Sequence, residues 1–403
     1  MKKSLLALAV LGAFAGAAQA QSSVTIYGIV DTGVTYTSKA QTTQTPGINT
    51  GSKFAVNSGV IQGSRIGFKG VEDLGGGLSA VFNLETGFTN DNGGLQGSDN
   101  VTSSNLFRRK SVVGLAGGFG TVLVGRQTDF ADVISAYTGV ADFGGVIAQA
   151  GSNLNRLQGV RTNNSVNFTT NNLSGFTGNL MYGFGETAGK TSAGQSFGIG
   201  GKYENGPLGL GLNYYQSKAG ATPSDVSLIP ITAVGVTPAA TNVYTNAANA
   251  GSSAQKVLNV VASYQFGPAR VYGNYSRVKQ DLNTAGVAGF AGVTAATRTT
   301  AGTLALSKKA DLYEIGTAYA LSPSLKLLAA VQHTRAEFDG VSGKGKLTQY
   351  NLGADYWLSK RTDLYAFVSN LRATDMKNPG VYGDTTGNDA SQTAVTVGVR
   401  HKF

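Results

Sequence analysis

The side chains with which a protein does covalent or metal chemistry are scarce in this 403-residue chain. Cysteine is absent, and the two histidines are His333 and His401. Disulfides and thiolate ligation are therefore excluded, and two dispersed imidazoles do not assemble a transition-metal site. A hydrolase needs a nucleophile within hydrogen-bond reach of a base. His401 stands in an alternating outward row, and His333 has no serine or acid placed beside it. Gly185-Glu186-Thr187-Ala188-Gly189-Lys190-Thr191 imitates a phosphate loop, but three residues separate its glycines where four are needed, and no helix follows. Gly198-Ile199-Gly200-Gly201 lies inside a strand-like segment, where glycine gives a bulky neighbour room. No catalytic residue, metal or cofactor is expected, and the chain does not read as an enzyme.

What remains is charge and the frame that carries it. The formal net charge is +10, and loss of Lys2 and Lys3 with a leader would leave about +8. The densest basic run, Arg108-Arg109-Lys110, is three residues long and strand-like rather than gathered on a helix or patch, so a nucleic-acid partner is not expected. Lys2-Lys3, the apolar stretch from Leu5 to Ala15 and the small-residue site Ala18-Gln19-Ala20 have the layout of a secretory signal peptide. Residues 1–20 are expected to be cleaved, leaving a single unit over residues 21–403. Beyond them no run of 18 apolar residues occurs, which excludes a helical membrane protein.

From Gln21 onward a pattern repeats: an alternating segment, a tight turn, a second such segment, then a longer polar loop. Sixteen segments can be counted, beginning with Val24–Tyr36, Val60–Gly70, Leu78–Phe88, Leu106–Leu115 and Thr121–Arg126 and ending with Gln392–Phe403. Leu258, Val260, Ala262, Tyr264 and Phe266 alternate with Asn259, Ser263 and Gln265, the signature of a strand with one apolar and one polar face. Short connections such as Asn205-Gly206-Pro207 and Gly267-Pro268-Ala269 alternate with long ones such as Thr37 to Gly59, Ser217 to Ala254 and Gln280 to Lys309. An up-and-down sheet puts all the short turns at one end and all the long loops at the other. The fold expected is all-β: a transmembrane 16-stranded antiparallel up-and-down β-barrel. A sheet in hydrocarbon must close, because an open edge leaves backbone groups unpaired at several kcal/mol each, and sixteen strands enclose an aqueous channel.

One stretch breaks the pattern. Gln127 to Val160 has no sustained alternation and is long for a connection; it is read as a third loop folded into the lumen. On strand parity, Arg65, Arg109 and Arg161 fall on the polar face, with Arg109 and Ser111 on one side of their segment and Val112 on the other. Such a row faces a loop carboxylate across a narrow water gap and favours anions. Lys69, Glu85, Tyr27 and Asp31 are expected to line the lumen as well.

The final segment ends in Phe403 with Val395, Val397, Val399 and His401 at alternate positions before it. Together with Ser64-Arg65-Ile66-Gly67-Phe68-Lys69-Gly70-Val71-Glu72-Asp73-Leu74-Gly75 and Gly120-Thr121-Val122-Leu123-Val124-Gly125-Arg126-Gln127, it resembles the general porins of Gram-negative bacteria, most closely the β-proteobacterial type. The resemblance runs over essentially the whole chain after the leader. It implies an outer-membrane passive diffusion channel for ions and small hydrophilic solutes, assembled as a homotrimer in contact with lipid and lipopolysaccharide. It also implies delivery to the barrel-assembly machinery through Phe403. Asp142-Phe143-Gly144-Gly145 matches the core of the family's constriction loop, so residues 127–160 would be that loop, and Arg65, Arg109 and Arg161 match its arginine ladder. Thr89 to Asn105 would be the loop that latches a neighbouring subunit, with Arg126 at that contact. Many relatives hold a second acid where this chain has Thr138; Asp132 could substitute if the backbone brings it to the same wall. A substrate-specific channel is the alternative, and an outer-membrane barrel hydrolase or adhesin is a more distant one.

Overall fold

The computed structural model describes residues 23–41, 50–95, 105–148, 157–159, 161–186, 188–189, 191–192, 194–218, 252–282, 307–338, 344–376, 378–382 and 389–403. The leader at residues 1–20 lies outside them, as do most of the loops Ser217 to Ala254 and Gln280 to Lys309 and the middle of Thr89 to Asn105. The strands are β1 (Ser23–Gln41), β2 (Thr50–Ser58), β3 (Arg65–Gly75), β4 (Leu78–Gly87), β5 (Lys110–Gly117), β6 (Gly120–Thr128), β7 (Arg161–Thr169), β8 (Phe176–Gly183) and β9 (Ser196–Asn205). They continue with β10 (Leu208–Lys218), β11 (Ser252–Phe266), β12 (Ala269–Leu282), β13 (Ser307–Ala320), β14 (Leu325–Phe338), β15 (Lys344–Trp357), β16 (Thr362–Thr374) and β17 (Ser391–Lys402).

Apart from β2 and β3, which both pair with β1, each strand pairs antiparallel with its neighbour in the chain, and β17 returns to β1 over Ile29 to Thr37, which closes the barrel. Seventeen segments make a 16-stranded barrel because β2 and β3 share one place in the wall. Thr32 to Gln41 of β1 pairs with β2, and Ser23 to Ile29 pairs with β3. The sequence reading placed Thr50–Ser58 in a loop; its Ser, Asn and Gly content hides an alternation in which Phe54 and Val56 point outward. Between the two halves, residues 59–64 leave the wall and turn inward, where Val60 and Ile61 are buried.

The alternation seen in the sequence sorts side chains as expected. Val260, Tyr264, Phe266, Tyr350, Leu352 and Tyr356 lie exposed on the outer wall, while their partners Asn259, Gln349 and Asn351 are buried inside. The turn between β3 and β4 has Gly76 and Gly77 at φ +62° and +78°, the left-handed pair of a hairpin whose twist matches its strands. No helix of the described residues is long and apolar enough to cross a membrane.

The third loop leaves β6 and folds into two short helices inside the ring, α1 (Ala131–Ile134) and α2 (Val140–Ile147), joined by a 3-10 turn, Ser135–Tyr137. Phe130, Ile134 and Phe143 are buried against the inner wall, with Phe143 5.4 Å from the Phe367 ring. Gly144 has φ +78°, and a Cβ there would lie 2.3 Å from Ile61 Cα. Only glycine lets α2 rest on the inward segment 59–64.

Candidate functional site

The polar centre of the lumen is built around Glu85 on β4. Its Oε1 accepts from Arg109 Nε at 2.6 Å, and its Oε2 lies 3.5 Å from Arg65 Nε. Tyr27 reaches the same carboxylate with its hydroxyl at 3.0 Å. It does so by lying across β3: Tyr27 and Glu85 both stand opposite Gly67 in the ladder, and a Cβ at Gly67 would come 2.5 Å from Tyr27 Cζ. The missing side chain is thus what lets a tyrosine cross one strand to a glutamate on the next. Lys69 completes the group, its Nζ 5.5 Å from the centre of the Tyr27 ring.

Arg109 arrives there by a different route from the one expected. Its N–H donates to Glu85 O, while Lys110 is the ladder partner of Glu85. Two residues against one make a bulge, which brings Arg109 to Glu85. Beyond it the alternation is the reverse of the sequence reading: Val112 faces the lumen at 4 % exposure, and Val113, at 61 %, faces out. Arg161 opens β7 opposite Thr128. Its Nε is shielded from solvent and has no hydrogen-bond partner among the described residues, and Arg109 and Asp132 act electrostatically on both it and Arg65. The three arginines therefore form one electrostatic group with two acids, Glu85 from the wall and Asp132 from the loop.

The loop acid on that side is Asp132, at the start of α1, whose carboxylate accepts from Thr128 Oγ1 at 3.3 Å. Asp142, expected to face the three arginines, is instead turned to the opposite wall, where it pairs with Arg270 Nη2 at 2.6 Å. Burial pushes the Asp142 carboxyl up from its ordinary value, and the Arg270 guanidinium opposes that shift. Asp31, expected to line the lumen, is sealed from it at 0 % exposure. Its carboxylate accepts from the Ile61 and Gln62 N–H groups at 2.8 and 2.7 Å and from the Tyr365 hydroxyl at 2.7 Å, so it serves to hold segment 59–64. Arg126 lies on the outward side of β6 with Val124 and donates to Arg108 O and Asn163 Oδ1.

Sequence reasoning missed the residues that fix the loop. Arg270 donates to Ala136 O at 2.9 Å as well as to Asp142. Gln332 and Gln349 donate to Ala148 O and Ile147 O at 2.6 and 2.5 Å. Glu314 accepts from Gln332 and Asn274 and from the Gly139 N–H. All lie at inward positions of β12 to β15. Their polarity was visible, but an inward polar residue looks the same in sequence whether it meets water or a loop backbone. Both histidines lie outside the lumen network, hydrogen-bonded to Thr348 and Thr362.

A closed 16-stranded antiparallel barrel with an inward loop and a charged lumen defines a membrane channel of the porin class. A family model described as Gram-negative porin matches residues 7–376. "Outer membrane porin protein 32" of Delftia acidovorans is 33% identical over 100% of both chains. An outer membrane porin protein of Bordetella pertussis is 32% identical over 100% of both. Among solved structures, "Anion-selective porin from Comamonas acidovorans" matches with a TM-score of 0.67 at 27% identity, covering 95% of this chain and 100% of that one. The chain belongs to the Gram-negative porin family and is an outer-membrane β-barrel channel; its relatives are channels rather than enzymes.

Proposed function

We propose that the channel passes ions and small hydrophilic solutes by passive diffusion, with a preference for anions set where Arg65, Arg109 and Arg161 face Asp132 on the loop. The observation that carries this reading is the sharing of one carboxylate, Glu85, by two arginines, with a third arginine beside them. Fixed positive charge in excess on one side of a constricted, low-dielectric gap concentrates anions and repels cations. The likeness to a solved anion-selective porin agrees with it. Asp142 belongs to the constriction through its pair with Arg270, which anchors the loop. The reading includes no bond-making step and no cofactor.

The decisive measurement is the reversal potential of single channels in a planar bilayer under a potassium chloride gradient. The expected sign is that of chloride preference, and Arg65→Gln with Arg109→Gln should move it toward zero; a wild type of cation sign would defeat the proposal. The same reading has residues 1–20 removed on export, which sequencing of the mature amino terminus at Gln21 would check. It also has a homotrimer in lipid and lipopolysaccharide, with Arg126 at the subunit contact and Phe403 as the mark for barrel assembly. Arg126→Ala should then weaken the trimer in native electrophoresis without altering ion preference.

A further inference from the structure

Apart from the ladder around Glu85, a second cationic group lies at the short-turn mouth around Trp357, the last residue of β15. Three cations surround that ring: Lys402 Nζ is 5.0 Å from its centre, Arg400 Cζ 5.6 Å and Lys326 Nζ 5.9 Å. Ladder register explains the gathering. Trp357 stands opposite Asp363, Asp363 opposite Arg400, and Lys326 opposite Asp355, all at inward positions, while Tyr356, Leu364 and Val399 point outward.

The three cations are not equivalent. Arg400 is committed: its guanidinium lies 3.0 Å from Asp363 Oδ2 and 4.0 Å from Asp355 Oδ2, and it is buried. The ammonium groups of Lys326 and Lys402 have no hydrogen bond or close ion pair with a described residue, although Asp355 acts electrostatically on both and Asp363 on Lys402. The shielded indole Nε1–H also has no acceptor among the described residues. Two ammonium groups and an N–H thus lie about one half-buried aromatic ring, with Asp355 and Asp363 nearby but hydrogen-bonded to neither ammonium. An indole face attracts cations, and a solute with several anionic oxygens can meet both ammonium groups where a single charge meets one.

We propose that Lys326, Lys402 and Trp357 form an oxyanion station at the periplasmic mouth that holds small solutes bearing two or more carboxylate or phosphate charges. Arg400, Asp363 and Asp355 act on Lys402 more strongly than Arg65 does, so the station is a site of its own, distinct from the ladder. It goes beyond the ion preference proposed above and needs only that solutes reach the lumen.

The chain provides its own probe, because Trp357 is its single tryptophan. Quenching of that emission by iodide is compared with quenching by caesium at equal ionic strength, in the full-length protein as isolated. Iodide should quench about threefold more strongly, given a local field of this kind. Citrate or inorganic phosphate, at constant ionic strength, should suppress iodide quenching more than acetate does. Lys326→Gln with Lys402→Gln should bring iodide and caesium together and abolish the competition. Equal quenching of the wild type by the two ions, or no competition by citrate and phosphate, overturns the station, and neither comparison depends on a variant folding. The reversal potential reports the ladder and the quenching reports the mouth, so either proposal can fail without the other.

Discussion

Two walls of one barrel present inward polar residues in the same alternating pattern and use them oppositely. On β1 and β3 to β5, Tyr27, Arg65, Glu85 and Arg109 bind one another and leave their surplus charge facing the lumen. On β12 to β15, Arg270, Glu314, Gln332 and Gln349 are consumed by the backbone and side chains of the third loop. The difference teaches that inward polarity is a resource with two outlets, water or loop, and that the loop's position decides which wall performs selection. A loop pressed against one side leaves the gap on the other.

That division can be broken most severely on the anchoring wall. Arg270→Gln strands the Asp142 carboxylate in a site that is mostly buried, at an expected cost of about 2 kcal/mol in unfolding free energy. The thermal midpoint should fall and the open-channel current should become noisier, while the sign of the reversal potential is kept. Tyr365→Phe removes one of three hydrogen bonds on Asp31 and should cost about 1 kcal/mol. Limited proteolysis should detect a looser 59–64 segment, and an unchanged digestion rate would argue that the two N–H donors suffice.

The smallest effect on stability, and the most pointed on function, is expected at the selecting wall. Glu85→Gln removes the shared charge but keeps a side-chain oxygen that can accept from Arg109, so folding should change less than in Arg270→Gln. The chloride-to-potassium permeability ratio should rise about threefold as fixed positive charge goes uncompensated. If the ratio fell instead, Glu85 would be holding the arginines in place rather than neutralising them. Gly67→Ala would sharpen this further: its methyl group displaces the Tyr27 ring and should shift the ratio less than the loss of Glu85 does.

Much of this architecture was legible because strand alternation is local. Leu258 through Phe266 declares two faces whatever surrounds it, and the alternation of short turns and long loops gives the sidedness. Three features were not legible, each for a physical reason. The β2 strand hides in a Ser- and Asn-containing stretch and exists because β1 runs on past Tyr36 and offers it a partner. Arg109 points correctly only because of a bulge, which sequence parity does not register. Asp132 and Asp142 sit in short helices whose facing is set by Ile134, Phe143 and the wall they pack on, so motif position alone chose the wrong acid to oppose the arginines.

The pairing of β17 with β1, completed by Phe403 and Gly28 exchanging backbone hydrogen bonds, also governs how the molecule can fold. The two strands joined there are the farthest apart in sequence, and contacts of that separation form late and slowly. Until they meet, the growing sheet carries two unpaired edges, each able to template association with another chain. Closure is therefore the step at which this chain competes with its own aggregation, and the ring of Phe403 packed over Gly28 marks where that competition ends.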